Sequence, residues 1–400
     1  MSMHNFHVTL NKCVSKGKKN IKRPVNHYCF LFTGKLNYFG SKTWEKFSLP
    51  YFKHAAELAK VDNVKITFKF IVYDIDQMNV GTFSTALSGL GNMYPTIFNN
   101  IRSSKDVDGS DKFDFEKYKQ IVKWFDDNNN IQCKLKKNKF ESYCTRTFTF
   151  IDKLAFYYVD TKPLFEKVKN VFSNENLISF YAYGQHLQVM IASEQYPSIF
   201  SDCDKDTLIF KIRYDTCLTD VENYNTLQSF SDAFYCLYHD KYFTTTLPFP
   251  PDAFDFYNLP VVMYSSIQKN KSIYMNMHPD DILIIFNHEG IKKYVQCYTD
   301  WLLNKSSETF NPLNEPGKSI HFVGLNIHSS LGMFFLDNEF STIDYTVEGY
   351  SLFGTILRQT TDKKNIEVTD INDDYKLRWY DNYNSIKNTI IEKFGKHDNT

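Results

Sequence analysis

Large aromatic side chains are the feature that most limits what this chain can fold into. Its 400 residues include 36 phenylalanines and 27 tyrosines but only 15 glycines, and 42% of all residues are hydrophobic. Each ring buries a large area, and the tyrosine hydroxyl suits either a core or a contact surface. This composition excludes a disordered chain and predicts an extensive core, shared by two or three subdomains at this length.

The charges balance overall but are unevenly distributed. Lysine plus arginine and aspartate plus glutamate both number 46, so the formal net charge is zero. Residues 1–50 are strongly basic, whereas residues 201–260 are acidic. A net charge near zero favours self-association, and the missing basic excess makes nucleic acid an unfavoured partner.

The composition along the chain predicts three regions. Residues 1–48 form a basic aromatic arm, residues 49–305 form the main body, and residues 306–400 form a C-terminal region that ends in an amphipathic helix. The main body divides into two subdomains near residues 128–142. Because helices and strands do not alternate in a regular βαβ rhythm, we expect an α+β fold that is mixed, helix-rich and irregular, with an extended N-terminal arm.

Periodicity predicts the individual elements. Apolar residues at spacings of three and four predict helices, and alternation with β-branched runs predicts strands. The predicted helices cover residues 114–127, 161–172, 291–304 and 373–394. The predicted strands cover residues 64–72, 145–151, 207–214, 281–286 and 319–327.

One motif points to enzyme chemistry. An apolar strand runs into Asp74 and Asp76, and two carboxylates at the end of a strand can hold Mg²⁺ or supply a nucleophile and an acid. The motif resembles the first motif of haloacid-dehalogenase-type phosphatases and, more loosely, the DxD of glycosyltransferases. It departs from the phosphatase pattern at Met78, where a threonine or valine is usual. A solvated turn after a strand explains the same residues, and we find no P-loop, HExxH motif or dinucleotide loop.

The eight cysteines and the termini indicate a protein made in a reducing compartment. No CxxC pair occurs, so neither a zinc site nor a redox motif is predicted, and no cofactor or bound metal is expected. The first ten residues lack an apolar signal core, and the longest aliphatic run is too short to cross a membrane. We therefore expect no signal peptide, no transmembrane segment and no membrane partner.

The overall character of the chain resembles a viral occlusion-body matrix protein, a polyhedrin of the nudivirus type. The resemblance rests on the neutral charge, on the many tyrosine, phenylalanine, lysine and asparagine residues, and on a basic aromatic arm that carries Cys13 and Cys29. It implies a non-enzymatic structural protein that crystallises with itself around virions, in the nucleus or cytoplasm of a host cell. It also implies dissolution at alkaline pH, where tyrosines ionise and lysines lose their charge.

The same hypothesis names the residues of assembly. Cys13 and Cys29 are the candidates for inter-chain disulfides, because an exposed arm makes them accessible. In the arm, Lys18, Lys19 and Arg23 are expected to pair with an acidic face of a neighbouring copy, formed by Asp202, Asp204 and Asp206.

Other interpretations remain open. The arm can also contact nucleic acid, lie on anionic lipid, act as a nuclear localisation patch or form a solvated tail. The alternative functions are a metal-dependent phosphatase-like or transferase enzyme that uses Asp74 and Asp76, and a viral structural or host-interaction protein.

Overall fold

A computed structural model describes the parts of the chain that carry its main sheet and six helices. The described residues are 26–34, 36, 39–40, 42–61, 63–73, 104–105, 111–112, 120, 135–160, 177–214, 216–217, 259–266, 279–305, 309–310, 320–321, 327–344 and 355–356.

Seven strands form the main sheet. Their bounds are β1 His27–Thr33, β2 Lys65–Tyr73, β3 Lys153–Val159, β4 Thr207–Arg213, β5 Val261–Ser266, β6 Pro279–Asn287 and β7 Ser341–Asp344. Their spatial order is β7-β5-β6-β4-β1-β2-β3. All neighbouring pairs are parallel except those of β6, which runs antiparallel to both β4 and β5.

Six helices accompany the sheet, and three antiparallel pairs of two-residue strands lie outside it. The helices are α1 Lys42–Phe47, α2 Leu49–Val61, α3 Lys137–Thr147, α4 Leu177–Gln195, α5 His288–Lys305 and α6 Ile327–Asp337. The short strand pairs join Ser104–Lys105 to Asp111–Lys112, Thr309–Phe310 to Ile320–His321, and Thr216–Cys217 to Thr355–Ile356.

The strands β4, β1, β2 and β3 form a parallel run in which β1 is one of the two inner strands. β1 is buried along its whole length. It pairs with β2 on one edge and with β4 on the other. A parallel strand covered on both faces reads as a continuous apolar run rather than an alternating one, and the sequence His-Tyr-Cys-Phe-Leu-Phe-Thr fits that rule.

One face of the sheet is covered by aromatic rings. Phe30 of β1 stacks on Phe210 of β4 at a centroid distance of 4.8 Å, and Phe32 stacks on Phe70 of β2 at 4.9 Å. Rings from the α1–α3 side complete this layer, and Phe52 of α2 meets Phe32 at 5.4 Å. Much of the aromatic content of the described residues therefore serves an internal core.

The opposite face of the sheet packs against α4, α5 and α6. Its core includes Leu31 of β1 and Ile284 of β6, together with Leu187 and residues 189–192 of α4 and Tyr294 of α5. The described part of the chain therefore has three layers, with the sheet in the middle.

The expected class is confirmed, because the chain combines helices with a mixed sheet. The expected lack of a βαβ rhythm is wrong, since α1 and α2 connect the parallel neighbours β1 and β2, and α4 lies between β3 and β4 in the chain. The part of the predicted arm from residue 27 onward is not an arm. It forms the interior strand β1 and then α1, and its large apolar side chains, such as Phe30, Phe32 and Trp44, are buried in the chain's own core. Residues 1–25 lie outside the described residues.

The predicted strands over 64–72, 207–214 and 281–286 and the predicted helix over 291–304 are confirmed. The predicted strand over 145–151 is wrong, because α3 extends to Thr147 and a turn follows. Of the strand predicted over 319–327, Ile320–His321 is a strand and Ile327 begins α6, whereas residues 319 and 322–326 lie outside the described residues. The helices predicted over 161–172 and 373–394 lie outside the described residues, as does almost all of 114–127. Among the described helices, none combines the length and apolar character needed to cross a bilayer.

Replacing a ring at the centre of the aromatic layer should strongly destabilise the protein. Phe32 is 1% exposed and contacts Phe39, Phe52, Phe68 and Phe70. We expect Phe32→Ala to lower the free energy of unfolding by about 3–5 kcal/mol, because it leaves a cavity among rings that cannot close over it.

Chemical denaturation with far-ultraviolet circular dichroism measures this loss. The control is Leu336→Ala on α6, because Leu336 is 44% exposed and its truncation should cost less than about 0.5 kcal/mol. Equal losses in the two variants would contradict a buried aromatic layer around β1.

Candidate functional site

The strand order changes direction at β1. From β1 the chain proceeds to β2 and β3 on one side, and it then returns to β4 on the other side of β1. In open sheets of this kind, ligands bind outside the carboxyl ends of the strands at such a switch point. Here that point lies beyond Thr33 of β1 and Arg213 of β4, which pair with each other.

Gln188 of α4 joins the end of β1 to β2. Its Oε1 accepts a hydrogen bond from the Gly34 amide at 2.5 Å, and its Nε2 donates to the Ile71 carbonyl at 2.7 Å. Continuing the β1–β2 register pairs Gly34 with Val72, so a regular parallel ladder would join that same amide to that same carbonyl. The Gln188 side chain therefore replaces the last rung of the ladder and satisfies both backbone groups.

Tyr214 reaches the same carbonyl from the aromatic face. Its hydroxyl donates to the Ile71 oxygen at 3.0 Å, and its backbone amide donates to the Thr33 carbonyl at 3.0 Å. Its ring packs against Phe39 at 5.1 Å. The carboxyl end of β1 is thus held from both faces of the sheet, by Gln188 on one side and Tyr214 on the other.

Gly34 makes the turn that ends β1. Its φ angle is +88°, a left-handed conformation that residues with a Cβ rarely adopt. A Cβ at this position would stand 3.6 Å from Gln185 Cβ and 4.0 Å from Arg213 Cγ, which are ordinary contacts. The backbone angle rather than lack of space therefore selects glycine, and the turn lies beside the half-buried Arg213.

The chain that leaves β4 is held on both sides of Asp215. Tyr214 is fixed by the contacts above, and the Thr216 carbonyl accepts a hydrogen bond from Ser48 Oγ at 2.7 Å. Thr216 is 1% exposed, and its Oγ1 finds no hydrogen-bond partner among the described residues. A buried hydroxyl in this state is uncommon.

The predicted carboxylate motif is only partly located. Tyr73 ends β2 at the same carboxyl edge, which agrees with the expectation of a strand that runs into Asp74. Asp74 and Asp76 themselves lie outside the described residues. Among the residues that the structure describes, no group of three or more histidine, cysteine, aspartate or glutamate side chains could hold a metal ion.

Asp202, expected to bind a neighbouring copy, makes its ion pairs within the chain. It pairs with Lys69 of β2, which is 1% exposed, and with Lys153 at 3.2 Å. Partial burial alone would raise the pKa of Asp202, but the hydrogen bond and the charge of Lys69 lower it to about 2. Lys69 also donates to the Ile199 carbonyl, so the pair anchors the segment between α4 and β4.

Of the other predicted assembly residues, the structure describes Asp204, Asp206 and Cys29. Asp204 and Asp206 lie in the tight turn before β4, where Asp204 Oδ1 accepts from the Asp206 amide at 2.9 Å and from Thr207 Oγ1 at 3.0 Å. Cys29 is 0% exposed in β1, so the expectation that an exposed arm makes it accessible is wrong. The remaining predicted residues, Cys13, Lys18, Lys19 and Arg23, lie outside the described residues.

Sequence reasoning missed Gln188 and Tyr214 as candidate site residues. Nothing in the local sequence marks Gln188, because its importance comes from a partner far away in the chain. Asp215, which lies outside the described residues, could have been noted, since in the sequence it stands two residues after the end of the buried strand β4, much as Asp74 stands one residue after the end of β2.

Replacing Gln188 should cost more than replacing a similar glutamine at the surface. Gln188→Met keeps the length of the side chain but leaves the buried Gly34 amide unpaired, so we expect a loss of about 1–3 kcal/mol in the free energy of unfolding. Gln195 is the matched control, because its amide bridges the backbone N–H and C=O of Asp160 in an exposed position. Gln195→Met should cost less than about 1 kcal/mol, since water replaces its partners. Similar losses in denaturant titrations would contradict the role of Gln188.

Acid should destabilise the protein through His27 at the amino end of β1. His27 is buried and its Nε2 lies 2.8 Å from Thr67 Oγ1. Burial, together with the charges of Lys65 and Lys69, lowers its pKa to about 4. His27 is therefore protonated below about pH 6.5 in the unfolded chain but only below about pH 4 in the folded chain.

This linkage predicts that stability falls as the pH drops from 6.5 to 4, by on the order of 3 kcal/mol from this one group. His27→Gln removes the titrating ring and should flatten that part of the curve. Urea unfolding of both proteins across this range measures the difference, and two parallel curves would contradict a neutral buried His27.

Comparison with known proteins adds no relative to these observations. No protein-family model, no curated protein and no solved structure matches the chain. The function has to be argued from the sheet order and from the residues at its carboxyl edge.

Proposed function

We propose that this protein is an enzyme that binds a nucleoside diphosphate ester and a divalent cation at the carboxyl edge of the sheet, and that it transfers the group which the ester carries. The observation that carries the proposal is the reversal of strand order at β1, since open sheets bind ligands in a crevice outside the carboxyl ends of the strands at such a reversal, here beyond Thr33 and Arg213. The proposal develops the transferase alternative that the aspartates after β2 suggest.

The turn after β1 has no glycine-rich phosphate loop and no long helix behind it, so the diphosphate would have to be held by other groups. The segment from Gly34 to Gly40 does not contain the G-x-G-x-x-G pattern, and α1 has only six residues. The turn is therefore unlike the site at which a long helix receives a dinucleotide pyrophosphate. Phosphate charge at this crevice would instead be met by Arg213 and by a cation.

The oxygen atoms available near the crevice suit a hard divalent cation. In the sequence, Asp215 follows Tyr214 and Asp74 follows Tyr73, so each is one residue beyond a residue at the carboxyl edge. The Thr216 hydroxyl, which has no hydrogen-bond partner within the described part of the chain, adds a neutral oxygen. Mg²⁺ and Mn²⁺ favour such oxygen ligands, and Mg²⁺ is commonly shared between one or two carboxylates and the phosphates of a substrate. A bound cation would supply charge neutralisation for the leaving diphosphate.

The phosphatase alternative is less well supported. Its motif departs from the expected pattern at Met78, and the strand that precedes Asp74 is β2, one strand away from the switch point. The residue that the sequence places beside the switch point is Asp215.

The occlusion-body function stays a prediction. The aromatic content that suggested it has an internal explanation in the described residues, since the rings around Phe32 fill a core, and Asp202, which it expected to contact a neighbouring copy, pairs with Lys69. No described observation favours it over the ligand site.

Isothermal titration calorimetry with uridine, guanosine, cytidine and adenosine diphosphates, each with Mg²⁺ or Mn²⁺, tests the proposal. We expect one nucleotide to bind only when a divalent cation is present. Asp215→Asn should weaken that binding at least about tenfold, which corresponds to about 1.4 kcal/mol. Arg213→Gln should weaken it by a similar factor at either metal, because it removes a phosphate partner.

The matched controls are Asp300→Asn on α5 and Arg146→Gln on α3, which replace exposed side chains of the same chemistry. Both should bind like the unmodified protein. Failure of every nucleotide to bind at millimolar concentration, or unchanged binding by Asp215→Asn, would overturn the proposal.

A further inference from the structure

Two basic side chains lie near the carboxyl end of β4, on the same face of the sheet. Lys211 and Arg213 are two residues apart in this strand, and residues at that spacing point to the same side. That side faces α4, because Lys211 Nζ donates a hydrogen bond to Gln185 Oε1 at 3.1 Å. The switch point beyond Thr33 and Arg213 is therefore bordered by two cations on its α4 side.

Gln185 and Arg213 flank the turn at Gly34. A Cβ at Gly34 would lie 3.6 Å from Gln185 Cβ and 4.0 Å from Arg213 Cγ, so both side chains border the same point of the turn. Gln185 is 6% exposed and Lys211 is 0% exposed, whereas Arg213 is half-buried. A ligand at this turn would meet Arg213 and Gln185 first, with the Lys211 ammonium behind the amide.

The hydrogen bond from Lys211 fixes the direction of the Gln185 amide. An ammonium group only donates, so the amide atom that faces it is the oxygen, and Nε2 faces another direction. A cation at the oxygen also polarises the amide, and this effect is stronger in a buried setting of low dielectric constant. The polarised Nε2 of Gln185 is therefore a strong hydrogen-bond donor at the same turn as Arg213.

We propose that Gln185 Nε2 and the Arg213 guanidinium hold the two phosphoryl groups of the diphosphate, and that Lys211 is a positioning residue that acts through Gln185. The inference rests on the proposed function, since it names further groups at that same site. Arg213 can form two parallel hydrogen bonds to one phosphoryl group, and Gln185 can donate to the other. The divalent cation neutralises the remaining charge of the diphosphate.

Isothermal titration calorimetry with inorganic pyrophosphate and Mg²⁺ tests the inference on the full-length protein, because this probe carries two phosphoryl groups and no nucleoside. We expect pyrophosphate to bind at least about tenfold more tightly than orthophosphate, since only pyrophosphate reaches both donors. Gln185→Met should weaken pyrophosphate binding at least about tenfold, because it removes a hydrogen bond to a charged group. Gln195→Met is the matched control on the same helix and should bind like the unmodified protein, because the Gln195 amide bridges the backbone of Asp160.

Two further variants distinguish a positioning role of Lys211 from a merely structural one. Lys211→Met should weaken pyrophosphate binding, and the double variant Lys211→Met/Gln185→Met should bind no more weakly than Gln185→Met alone, because both changes act on the same donor. Gln185→Glu gives the buried ammonium a carboxylate partner, so the protein should stay folded in denaturant titrations. It should nevertheless weaken pyrophosphate binding at least about tenfold, because the new charge repels the anion.

The outcomes separate this inference from the proposed function. Pyrophosphate that fails to bind at millimolar concentration, binds no better than orthophosphate, or binds unchanged to Gln185→Glu would overturn the inference. Additive losses in the double variant would overturn the positioning role of Lys211. A nucleoside diphosphate that binds equally to Gln185→Glu and to the unmodified protein would overturn the inference and leave the proposed function standing. Pyrophosphate binding that depends on Gln185, without binding of any nucleoside diphosphate, would support the anion site and overturn the proposed function.

Discussion

The burial of β1 on both faces and along both edges is the constraint on which the described structure depends. Its side chains alternate between an aromatic layer around Phe32 and a mixed layer that contains Cys29 and Leu31. Its backbone supplies hydrogen bonds to β2 and β4 at once. Without this strand the parallel run would separate into β4 on one side and the pair of β2 and β3 on the other, and the helices on each face would lose their common support.

The same strand fixes the candidate site, because the site is defined by where β1 ends. Gly34 makes the turn that ends β1, and the side chains of Gln188 and Tyr214 form the hydrogen bonds that the strand backbone no longer provides there. Both side chains donate to a single carbonyl, that of Ile71, so the ends of β1, β2 and β4 are held together by one acceptor. A rigid edge of this kind suits a ligand site, because bound groups are positioned by elements that do not need to reorganise.

The sequence predicts some parts of this fold well and misses others for physical reasons. The strand over 64–72 and the helix over 291–304 were predictable because each has a regular pattern of buried residues. β1 lacks alternation because both faces are buried, and its position near many lysines made it look like part of an exposed arm. In α4, residues 185–190 are all buried, so no single apolar stripe identifies the helix. The site was harder still, because Gln188 and Gly34 meet only through the tertiary fold, whereas an aspartate within two residues of the end of a buried strand is visible in the sequence at both Asp74 and Asp215.

Hydrogen exchange of the segment His27–Thr33 tests the central claim most directly. If β1 is an interior strand that is paired on both edges and covered on both faces, its amides should be among the slowest to exchange in the dispersed protein and should open only with global unfolding. Mass spectrometry of peptides that cover this segment gives the answer without any ligand or variant. Exchange within seconds, as an exposed arm would show, would contradict the sheet order and with it the location of the site.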